Sequence, residues 1–213
     1  IYIAGNVSTI GGSNQGKLWY FQVAQGTVAG TIPVFKAGYN PAIANNTEES
    51  LWPGSVIYPW SAWDTTGTLS CVSTDGDPGT LTIVGLRAAD FEQITEVVTL
   101  NNTTPVITAN SFARINSLHY NGATTNAGAI NVSRGGTVVG KIDVGFGVSQ
   151  MAQYTVPAGY TFYLTRVGAY CGSVSQGQNP GNVLYRVATY SPTGILNSVL
   201  QTPFTTSYTT TRV

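Results

Sequence analysis

From residue 68 onward the chain repeats one pattern: a short run of alternating apolar and polar residues, then a turn built from Gly, Pro or Asn. TLSCVST (68–74) leads to the turn Asp75, Gly76, Asp77, Pro78, Gly79, and TLTIVGL (80–86) follows, with Gly85 placed to mark a bulge. EQITEVVTL (92–100) puts Ile94, Val98 and Leu100 on one face and Thr95, Val97 and Thr99 on the other. Asn101–Thr104 reads as a hairpin-like connection into residues 105–120. NAGAINVS (126–133) and TVVGKIDVG (137–145) flank Arg134, Gly135 and Gly136, a tight-turn signal. MAQYTV (151–156), YTFYLTRVGAYCG (160–172), NVLYRVATY (182–190) and ILNSVLQTP (195–203) continue the pattern. About a dozen short strands with turns every 8–12 residues predict an all-β antiparallel β-sandwich, jelly-roll-like, over residues 40–213.

Upstream of that domain the pattern changes. Residues 1–16 are Gly, Ser, Asn and small apolar residues, and KLWYFQV (17–23) is a strong strand run without a partner hairpin. Residues 1–39 therefore read as an extended N-terminal arm that adds a strand to another chain. VAGTIPVFKAG (28–38) reads as a short strand broken by Pro33. Residues 40–53, bracketed by Pro41 and Pro53, form the junction.

Charge narrows the function. Nine Lys and Arg balance nine Asp and Glu, and charged residues are only 8 % of the chain. Wrapping a nucleic-acid backbone takes many more cations than that, so no nucleic-acid partner is expected. No run of 18 apolar residues exists to span a membrane as a helix, and no membrane partner is expected. With zero net charge, copies repel one another weakly, which suits an assembly.

The constellations that could carry chemistry are weak. Asp64, Asp75 and Asp77 offer few of the oxygens that Ca²⁺ takes, and the second and third sit in a turn sequence, so no metal is expected. Glu92 and Glu96 share a strand face about 13 Å apart, too far for either glycosidase geometry, and read as partners for Arg87 or Arg114. His119 is the sole histidine and no serine lies in an elbow motif. Gly11–Gly16 has the composition of a phosphate loop without its Lys-Ser/Thr pair. No catalytic residue and no cofactor is expected. Cys71 and Cys171 read as two buried thiols; a disulfide would close a loop of about 100 residues, and geometry decides between the two.

Aromatics make up 11 % of the chain. Leu18, Trp19, Tyr20 and Phe21 in the arm, and Trp52, Tyr58, Trp60 and Trp63 after it, are the candidate assembly interface, because aromatics dominate contact energetics. Tyr58 and Trp60, spaced i, i+2, would share a strand face as a platform for a subunit or a sugar. Packing inside its own chain is the first reading of the second group, contact with a subunit the second and with a sugar the third.

TEESLWPG (47–54), YPW (58–60), Gly79 with IVGL (83–86), and FEQITEVVTL (91–100) occur in that order. TPV (104–106), FARIN (112–116), GAINV (128–132), VPAGY (156–160) and YLT (163–165) follow. Together they resemble the virion structural proteins of tailed phages infecting marine bacteria and cyanobacteria. The resemblance implies a particle component without catalysis, located in the virion. Its partners would be copies of itself and the major capsid protein or tail proteins. A capsid decoration protein is the first expectation; a tail or fibre component that binds a host surface glycan is the second.

Overall fold

A computed structural model describes residues 22–23, 25, 27–44, 47–54, 56–64, 66–164, 167–169, 182–190 and 196–205. The chain divides into two compact units, Ile1–Phe162 and Tyr163–Val213.

The first unit holds seven strands: β1 (Ser70–Ser73), β2 (Pro78–Arg87), β3 (Gln93–Asn101), β4 (Val106–Ile107), β5 (Phe112–Asn121), β6 (Ile130–Arg134) and β7 (Thr137–Ile142). They form a three-stranded sheet ordered β3-β2-β5 and a four-stranded sheet ordered β4-β1-β6-β7, every pair antiparallel. The sheets pack face to face, β5 meeting β7 and β1 meeting β3. Alternation explains the layering. Leu81, Ile83, Val98, Leu100, Ile115 and Leu118 point inward from one sheet, and Cys71, Ile130, Val132, Val139 and Ile142 from the other. Each such side chain contributes about 1.5–3 kcal/mol by leaving water. The protein is thus mostly β, with two antiparallel sheets packed as a sandwich.

Two local signals behave as read. Arg134 pairs with Thr137 across Gly135 and Gly136, whose φ values of 52° and 85° suit a two-residue hairpin turn. The β2–β5 register shifts at Gly85, leaving Asn116 of β5 unpaired. A Cβ on Gly85 would lie 2.3 Å from the Arg114 carbonyl oxygen, so only glycine lets β5 bulge there.

Four runs depart from expectation. Residues 28–38, 151–156 and 160–164 are irregular rather than strands, and Gln22 and Val23, the described end of the 17–23 run, are helical. Apart from β2, β5 pairs only through isolated bridges, Gly67 with Phe112 and Val148 with His119; near the latter, Gly147 O accepts from Tyr120 N at 2.8 Å and Ser149 N donates to Leu118 O at 3.0 Å. The bulge at Asn116 then breaks the ladder that residues 151–156 would have extended. Nor do Tyr58 and Trp60 share a strand face, because Pro59 starts a 3₁₀ turn, Trp60–Trp63.

The second unit, taken by itself, holds β8 (Asn182–Tyr190) paired antiparallel with β9 (Leu196–Thr205), as the alternation there predicts.

Cys71 is a free, fully buried thiol; Cys171 lies outside the described residues. Burial first, and the Glu96 charge second, push the Cys71 thiol up to about 12, which leaves it unreactive at neutral pH.

Candidate interaction site

The aromatic group after the junction is built by short-range bonds. Trp52 Nε1 donates to Val56 O at 2.8 Å, curling the indole over Gly54, where a Cβ would lie 2.0 Å from the ring. Ser50 Oγ accepts from Tyr58 N at 2.9 Å. Tyr58 OH donates to Val139 O at 2.7 Å and accepts from Trp63 Nε1 at 3.1 Å. Trp52, Tyr58 and Trp63 are therefore core residues with satisfied polar tips, Trp52 and Tyr58 each 2 % exposed. Burial holds the Tyr58 hydroxyl above its ordinary pKa.

Trp60 is different. It lies edge-on to Tyr58, centroids 4.7 Å apart, yet remains 41 % exposed. The Arg114 guanidinium stands 6.0 Å from the Trp60 centroid and 5.9 Å from that of Trp63, and the Arg134 guanidinium stands 5.0 Å from Trp63. Burial lowers the pKa of both arginines, and the Arg114 charge lowers that of Arg134 further. Of the eight residues singled out in the sequence, the four that are described converge here, and among these four Trp60 alone offers substantial surface to a partner. Leu18, Trp19, Tyr20 and Phe21 lie outside the described residues.

A second surface had no sequence signal beyond apolarity. Residues 31–40 form no regular element and are tied to β5 and to residues 150–152. Lys36 Nζ donates to Asn116 O, and Tyr39 N donates to Gln150 O at 3.0 Å. Gly38 passes so close to Leu51 and Ala152 that a Cβ would lie 2.5 Å from each. The anchored stretch holds its apolar neighbours outward: Ile32, Val34, Tyr39 and Ile43 are exposed, and Phe35 is 91 % exposed. A run of exposed apolar residues on an anchored segment is a contact surface.

Asp77, Asp90, Glu92 and Glu96 are each occupied by partners. Asp77 accepts from Ser73 Oγ at 2.7 Å, Ala127 N at 2.6 Å and Gly128 N at 3.0 Å. Burial pushes its pKa up, but these three donors outweigh it and hold the carboxyl below its ordinary value. Glu92 and Asp90 pair with Arg87 at 2.7 and 2.5 Å. Glu96 instead accepts from the Ala109 and Asn110 amides. Among the described residues no three His, Cys, Asp or Glu gather as a metal site, and no helix is long and apolar enough to cross a membrane.

Compared with protein-family models, curated proteins and solved structures, the chain matches none of them.

Proposed function

We propose that the chain is a non-enzymatic structural component of a tailed phage particle, a capsid decoration or cement protein with a jelly-roll-like body and an N-terminal arm. The observation that carries the assembly reading is the exposed apolar run Ile32, Val34 and Phe35, held outward by the Lys36 and Tyr39 anchors. The low charge of the chain suits close packing among identical copies, and many weak contacts sum to tight binding on a repeating shell. The phage assignment itself rests on the ordered motifs of residues 45–167. Because residues 36–39 dock on their own chain, the reaching part of the arm is residues 1–35.

The test is incorporation into particles. Val34→Ser with Phe35→Ser should leave the sandwich folded and reduce occupancy on purified particles; full occupancy would refute the reading. Quantification against the major capsid protein separates shell from tail, since a decoration protein is present in hundreds of copies.

A tail-associated, glycan-binding role is the second reading, favoured by the exposed Trp60 face beside Arg114. Trp60→Ala should then abolish host adsorption while incorporation stays normal.

A further inference from the structure

Arg134 is 5 % exposed, and its Nη2 has no hydrogen-bond partner. Nη1 is satisfied by Phe112 O at 2.6 Å. The Trp63 ring accounts for the cationic charge but takes no in-plane N–H, so the Nη2 edge stays unpaired. Buried donors are rarely left so, because the lost hydration is not replaced. Arg114, over the same Trp63 ring, donates Nη1 only to its neighbour's carbonyl, Ala113 O. Among the described residues neither guanidinium has a carboxylate within ion-pair distance, whereas Arg87 and Lys141 both do; the Asp64 charge acts on Arg114 from beyond that distance. Two cations thus gather on one indole in a chain with only nine Lys and Arg in all. Gly67 borders the Arg134 edge, where a Cβ would make an ordinary contact with Nη2 at 3.7 Å.

We infer that Arg114 and Arg134, seated on Trp60 and Trp63, form a binding site for a small oxyanion, a carboxylate or phosphate group. The anion takes the free Nη2 edge of Arg134 and the Arg114 donors not used by Ala113 O, relieving the repulsion between the two charges. It enters from the side of Trp60 and Arg114, the more exposed members of the group. A free anion and a carboxylate carried by a second copy of this chain offer the same chemistry. The inference does not depend on where the protein resides.

Calorimetric titration of the full chain with sodium acetate and with inorganic phosphate, each at constant ionic strength against chloride, tests it. The expected result is saturable binding that quenches or shifts tryptophan fluorescence. Arg114→Met and Arg134→Met should each weaken it about ten-fold or more. Arg87→Met, whose guanidinium is already paired with Asp90 and Glu92, should not. Arg114 is half-buried, so its variant remains informative if the Arg134 variant does not fold. Sedimentation with and without acetate separates the sources. Acetate dissociates copies when a neighbour supplies the carboxylate, and leaves the mass unchanged when the anion is free. Absence of saturable binding, or equal binding by chloride or by the Arg114 variant, overturns the inference.

Discussion

The Asn116 side chain holds the Thr155 backbone from both sides: Nδ2 donates to Thr155 O at 2.9 Å, and Oδ1 accepts from Thr155 N at 2.8 Å. Asn116 is the residue that the β5 bulge leaves without a strand partner. Its amide substitutes for a ladder rung, and its own carbonyl receives Lys36. One irregular residue thus joins β5, the 151–157 run and the anchored N-terminal segment. Asn116→Ala should destabilise the first unit by about 1–3 kcal/mol, because two backbone groups and a cavity are left behind. Denaturant unfolding gives the magnitude, and hydrogen exchange should show the Thr155 amide losing protection. An unchanged exchange rate there would contradict the bridging role.

Lys36 sets a pH dependence. Burial lowers its pKa to about 8. Between that value and the ordinary one the unfolded chain holds a proton that the folded chain has released, so stability rises with pH across that window. The contribution is at most about 1.4 kcal/mol per pH unit. Wild type should gain stability from pH 8 to 9.5 relative to Lys36→Met, measured by denaturant midpoints. A parallel pair of curves would show that Lys36 keeps its ordinary pKa.

Asp77 works in the opposite direction. Its folded pKa lies below the ordinary value, so its contribution is present at neutral pH and is lost as pH falls through the folded value. Asp77→Asn replaces one carboxylate oxygen with an NH₂ that must face a backbone donor, Ala127 N or Gly128 N, and should cost about 2 kcal/mol at pH 7. Below pH 4 the difference from wild type should shrink, and thermal unfolding across pH 2–7 checks this.

Trp60 and Trp63, three residues apart, should respond differently. Trp63→Ala empties a core position and removes the Tyr58 partner, costing about 3–5 kcal/mol. Trp60→Ala should cost no more than about 1 kcal/mol, since much of the ring already meets water. Comparable losses at both positions would show that Trp60 packs as deeply as Trp63.

The sequence by itself determined what depends on local period and turn chemistry. Alternation at Ile94, Val98 and Leu100 faithfully marks the buried face of β3, and Gly135 and Gly136 mark the β6–β7 turn. Gly85 marks the bulge, and the pairing of Glu92 with Arg87 was also legible, because the two residues lie close along the chain. Tertiary structure alone decided where a strand-like run finds a ladder. MAQYTV alternates as well as β3 does, but hydrogen bonds need a regular partner edge, and the β5 bulge removes it. It also decided which aromatics are core and which surface: the 3₁₀ turn after Pro59 sends Trp63 under Tyr58 and leaves Trp60 outside. The approach of Arg114 and Arg134, distant in sequence, to one indole likewise needs both sheets in place. Alternation records which residues prefer to leave water; it carries no information about which distant backbone or ring will receive them.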